Sequence, residues 1–162
     1  MHFFPASWPR ALGMGVIVFF FAASNLLALQ AKKIDSRGTI FLDDNRKISL
    51  AGIELSPDFF SILSIILAGR DISFQKDAVL PASESGVIPG YVTVDTSEID
   101  LPFEPNVQHK RHVMINEFLI SLGIAKVATA LDFKRKVSFL ELEQSAKERG
   151  SGLWSYENPI QK

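Results

Sequence analysis

The 162-residue sequence contains no cysteine, which excludes a disulfide framework, thiolate zinc sites and thiol nucleophiles. It also lacks a surplus of positive charge. Lys plus Arg number 17 against 18 Asp plus Glu, so no overall field gathers nucleic acid or anionic lipid, and a polyanion would need a local basic patch. Past the N-terminal apolar segment there is no repeat, low-complexity tract or long linker, which points to one folded unit. An apolar content of 47% is enough to fill the core of a single domain.

The one long apolar run is "ALGMGVIVFFFAASNLLALQA", Ala11 to Ala31, uncharged between Arg10 and Lys32. As a helix it would measure roughly 32 Å, enough to cross the hydrocarbon layer. Two readings follow. Residues 1–24 form a signal peptide, with Ala22-Ala23-Ser24 as the small-residue site and cleavage before Asn25; or residues 11–31 stay in place as a single transmembrane anchor. Basic residues flank both sides, so the positive-inside rule orients an anchor poorly. Either way the chain is expected outside the cytoplasm, periplasmic or secreted, or tethered to the membrane.

Downstream, "GTIFLDD" and "RKISLAGIE" are β-rich runs around Asp43, Asp44 and Asn45, a hairpin signal. Ser56-Pro57-Asp58 opens a helix whose near-continuous apolar stretch "FFSILSIILAG" predicts deep burial and a stop at Gly69. "RDISFQK" and "GYVTVD", the latter entered through Pro89-Gly90, read as further strands, and residues 96–111 as an irregular loop. "MINEFLISL" places Ile115, Phe118, Leu119 and Leu122 on one helical face before Gly123. A last helix begins near Phe133, carries Val137, Leu140, Glu141, Gln144 and Ala146, and leads to "GLWS", where Trp154 folds back on the domain.

With these elements in place, "INEFLISLGIAKV" and "LELEQSAKERGSGLWS" resemble the closing helices of the staphylococcal nuclease (thermonuclease) family. "GTIFLDDNRKISLAGIELSP" resembles its "GDTIxLxDGxxxRLxGIDxPE" hairpin. The resemblance implies an α+β fold, a five-stranded OB-type β-barrel with three helices, spanning residues 25–156 with 157–162 as a tail. It also requires a first strand from "NLLALQAKKID", which favours cleavage before Asn25, because an intact membrane helix through Ala31 would leave the barrel edge unpaired.

The family's chemistry implies carboxylates holding Ca²⁺, arginines clamping the scissile phosphate and a glutamate acting on the attacking water. The calcium-binding aspartate falls on Gly38, or on Arg37 if the turn has slipped by one; Asp35 is near but is assigned to the preceding strand. Ser49 stands where the first arginine is expected and Pro89 where the second is, and neither supplies a bidentate guanidinium. Glu54 matches the second metal-binding aspartate, and Asp58 is at most a stand-in for the catalytic glutamate. No intact catalytic set, metal site or cofactor site remains by this comparison, although Ca²⁺ is the family's ion.

Each remaining feature has a bland explanation beside a functional one. Asp43 and Asp44 suit a hairpin turn and would join Glu54 and Asp58 only in a rearranged cation site. "QHKRH", Gln108 to His112, is the one dense basic cluster; His109 and His112 have metal-ligand spacing, but a solvated loop explains them as well. Phenylalanines could stack bases in an OB barrel, yet most suit a core, and nucleic acid is not favoured without a basic groove. Asn116 and Glu117 fit structural hydrogen bonding. The expectation is an exported, catalytically inactive nuclease-like domain that binds or scaffolds a protein or envelope partner; the alternative is a weak or altered metal-dependent phosphodiesterase acting on DNA or RNA.

Overall fold

A computed structural model of the chain describes residues 29–97 and 112–156. The segment 1–24, most of Ala11–Ala31, His109 and its neighbours 108–111, and the tail 157–162 lie outside the described residues. Strand β1, Leu29–Ile34, pairs antiparallel with β2, Ile40–Leu42, and β2 with β3, Lys47–Leu50. Alternation sets the inward face: Ile40 and Leu42 are buried, with the half-buried Phe41 between them pointing out. The last residues of the apolar run, Leu29 to Ala31, are therefore paired strand residues.

The turn between β2 and β3 contains the predicted aspartates. Asn45 adopts φ 68°, Asp44 accepts the Arg46 N–H at 3.0 Å, and Asp43 accepts the Gln30 N–H at 3.2 Å. These carboxylates serve the hairpin. The second β-rich run is not one strand, contrary to the expectation from its residues. It breaks at Gly52, φ 74°, and resumes as β4, Ile53–Leu55. A Cβ on Gly52 would lie 2.4 Å from Cε2 of Phe133, so the ring requires a glycine beneath it.

Helix α1, Phe60–Leu67, follows a 3₁₀ turn at Pro57–Phe59. It buries Leu63, Ile66 and Leu67, but Ile65 is 76% exposed, so apolarity on all sides does not mean burial on all sides here. Strand β5, Asp71–Lys76, pairs with β1 and with β6, Val87–Asp95. β6 starts before Pro89, three residues earlier than the strand expected from Gly90. The barrel closes where β3 and β6 run parallel, Lys47 opposite Val87, Ser49 opposite Pro89 and Leu50 opposite Gly90. β1, β2, β3, β6 and β5 thus form a closed five-stranded barrel with three helices, the expected OB-type architecture.

Three short strands escaped the sequence pattern or were merged with neighbours. β7, His112–Met114, extends the sheet beyond β6, and β4 forms a separate ribbon with β8, Ala125–Val127. Helix α2, Ile115–Ser121, starts one residue later than expected because Met114 ends β7. Asn116 is fully buried. Its amide donates to the carbonyls of Ala51 at 3.0 Å and Gly90 at 3.1 Å, and its Oδ1 accepts the Val92 N–H at 3.1 Å.

Helix α3, Lys136–Glu148, begins three residues after Phe133, which packs in the preceding turn. It buries Phe139, Glu143 and Ala146, whereas Val137 is 72% exposed. Glu143 accepts the Val127 N–H and pairs with Lys147, each at 2.8 Å. Trp154 folds back as expected, buried under the ammonium groups of Lys126 and Lys147 at 4.8 and 4.5 Å from its ring.

Candidate functional site

Three of the positions at which the sequence resemblance places the family's functional groups converge. Gly38, in the β1–β2 turn, and the facing pair Ser49 and Pro89 on the β3–β6 seam line one cavity of about 280 Å³ at the barrel mouth. Its walls are apolar: Leu50, Ile53, Leu55, Phe60, Leu63 and Leu80 among them. Among the described residues, Arg37 is the one charged residue lining it, and no carboxylate does.

Gly38 adopts φ 77°, and a Cβ there would lie 2.9 Å from Cε1 of Phe60. The aromatic ring thus occupies the space that any side chain at this position would enter. Asp35 is just past the end of β1 and not inside it. Its carboxylate accepts the N–H groups of Arg37 and Thr39, both at 2.9 Å. Slight burial opposes its ionisation, but those two donors outweigh it and hold the carboxyl below its ordinary range. The group is committed to the turn.

Glu54 is exposed on β4 opposite Lys126, while its neighbours Ile53 and Leu55 line the cavity. Strand alternation therefore turns Glu54 away from Gly38, Ser49 and Pro89. Asp58 lies in the 3₁₀ turn before α1 and does not line the cavity either. Asp43 and Asp44 border a separate cleft of about 890 Å³, together with Asp71, Asp95 and the exposed His112. Among the described residues no group of three His, Cys, Asp or Glu side chains could hold a metal ion.

A buried network that the sequence did not signal fixes the cavity's upper wall. Asp77, only 1% exposed at the end of β5, accepts the Val79 N–H at 2.7 Å, the Leu80 N–H at 2.9 Å and the Lys134 N–H at 3.1 Å. The Tyr91 hydroxyl donates to it as well. Leu80 is a cavity residue, so this carboxylate sets the position of one wall. Burial opposes ionisation of Asp77, yet the Tyr91 hydroxyl and the three N–H groups prevail and lower its pKa to about 2. Burial and the facing carboxylate push the Tyr91 hydroxyl up. Arg135 stacks 5.3 Å from the Tyr91 ring and pairs with Glu117 at 3.0 Å, which gives Glu117 the structural bonding expected of it.

Residues 85–156 match the family model described as staphylococcal nuclease homologue. The matched segment runs from β6 to the Trp154 turn; Pro89 falls within it, and Gly38, Ser49, Glu54 and Asp58 precede it. No curated protein matches the chain.

The depressed pKa of Asp77 fixes a sign. A carboxyl at about 2 in the folded chain and 3.8 ordinarily stabilises the fold above about pH 4, and that contribution disappears as pH falls through 2. The shift corresponds to about 2 kcal/mol. Asp77→Asn is expected to lower stability by about that amount at neutral pH and to flatten the decline between pH 4 and 2. Urea denaturation across that range checks this, and an unchanged acid decline in the variant would count against it.

Proposed function

We propose that the chain, which carries a domain of the staphylococcal nuclease family, works outside the cytoplasm as a binding or scaffold module and does not hydrolyse phosphodiesters. The observation that carries this reading is the largely apolar lining of the barrel mouth. Phe60 packs where a side chain at Gly38 would stand, and Ser49 and Pro89 face each other without a guanidinium. Phosphodiester cleavage of the family's kind needs a cation held by oxygen ligands and positive groups at the developing charge. Here the lining is apolar apart from Arg37 and Ser49, with no carboxylate among the described residues, and Glu54 faces the other side of its strand.

Magnitudes support the same reading. Removal of one preorganised charge stabiliser costs about 10² to 10³ in rate, and loss of a general base about 10² to 10⁴. Such losses do not multiply cleanly, but several together leave little catalysis. The scaffold role rests on the rest of the domain remaining fully packed: Asn116 at the seam, Asp77 beside it and Trp154 at the end are all buried.

Export is the other half of the proposal. The uncharged run ends in β1, whose first described residue, Leu29, is paired with Ile72. Cleavage before Asn25 would release the chain just ahead of that strand and leave the barrel intact.

The purified chain, incubated with single-stranded DNA or RNA in Ca²⁺, Mg²⁺ or Mn²⁺, is expected to leave both intact. Metal-dependent cleavage that disappears in Glu54→Gln would overturn the binding-module reading. The mass of the chain recovered from cells is expected to begin at Asn25, and an intact N-terminus would refute the signal peptide.

A further inference from the structure

The cavity at the barrel mouth is not closed off. It shares Ser49, Leu80, Pro89 and Leu131 with an adjoining groove of about 280 Å³ that runs on past Pro81 and Val87. Leu131 is 46% exposed at the junction, so the two spaces adjoin as one largely apolar channel that opens to solvent. An apolar surface of this kind favours an apolar ligand body by removing both from water.

The one charged group lies on the inner side: Arg37 lines the inner cavity and not the outer groove, and Ser49 lies where the two meet. Among the described residues, Arg37 and Ser49 are the only polar ones lining the inner cavity, and the outer groove adds Ser83. The Arg37 guanidinium and the Ser49 hydroxyl make no side-chain hydrogen bond or ion pair among the described residues. Asp35 is close enough to feel Arg37, but its oxygens are bonded to backbone N–H groups. A lone cation above an apolar channel without carboxylates complements an anion that has an apolar tail.

We propose that this channel binds a straight-chain carboxylate, its head group at Arg37 and Ser49 and its tail along Leu50, Leu80 and Leu131. This deepens the binding-module reading and rests on it. A carboxylate suits the site because a guanidinium can hold both its oxygens in parallel. Arg37→Gln removes the charge and leaves the apolar walls in place, and Leu131→Asp places a like charge beside the tail at a position that is 46% exposed.

Octanoate, octanamide and octylamine, titrated into the ¹⁵N-labelled full chain, test this directly. Octanoate is expected to give saturable shifts at Leu50, Ile53 and Leu80, at least tenfold tighter than octanamide, with octylamine weakest. Decanoate is expected to bind more tightly than hexanoate. In Arg37→Gln the preference for the acid over the amide should vanish, and Leu131→Asp should weaken octanoate at least tenfold. Equal affinity for acid and amide, no saturable shift, or undiminished acid preference in Arg37→Gln would each overturn the proposal. Cleavage in the nuclease assay would instead strike the binding-module reading, so the two failures are distinguishable.

Discussion

The parallel pairing of β3 with β6 is the constraint on which the rest depends. Without it the five strands are an open sheet with two unpaired edges; with it, they enclose Ile40, Leu42, Ile48 and Val92. Asn116 holds the seam from behind. One side chain bonds the carbonyls of Ala51 and Gly90 and the N–H of Val92, so α2 is fastened to both strands at the point of closure. Asp77 does similar work a few residues along, bonding Pro89 through its own N–H and joining Leu80, Tyr91 and the Lys134 backbone through its carboxylate. Buried polar groups so fully satisfied specify one arrangement as well as stabilising it.

The seam also decides what the mouth can do. Because Ser49 lies opposite Pro89, the two positions at which the family resemblance expects arginines are neighbours, and both are uncharged. The β1–β2 turn brings Gly38 to the same place, and α1 lowers Phe60 onto it. A framework suited to gathering charge instead gathers aliphatic and aromatic side chains around Arg37. In our reading this difference in lining, with the backbone plan retained, separates a binder from a hydrolase.

Much of this was legible in the residues. Asp43 to Asn45 gave the hairpin turn, Gly69 and Gly123 the helix ends, and Trp154 its return to the core, because each is a local signal with a local cause. The short strands outside the hairpin were not legible: β7 and β8 lack the length for a periodic pattern, and Gly52 splits a run that reads as continuous. The exposure of Ile65 and Val137 depends on which side of a helix meets the barrel, which composition alone does not set. The Phe60 ring over Gly38 and the Asp77 network join residues far apart in sequence, so no window of the chain contains them. That Ser49 and Pro89 belong together was visible only through family resemblance, whereas Glu54 turning away from them required the strand's register.

In our reading this barrel mouth holds no divalent cation because its lining supplies no carboxylate among the described residues and Phe60 stands where a side chain at Gly38 would reach in. The most direct test of this is a Ca²⁺ titration of the ¹⁵N-labelled chain, following the amides of Arg37, Gly38, Thr39, Glu54 and Asp58. These signals are expected not to move in a saturable way. Saturable, site-specific shifts at Gly38 and Glu54 together would contradict it.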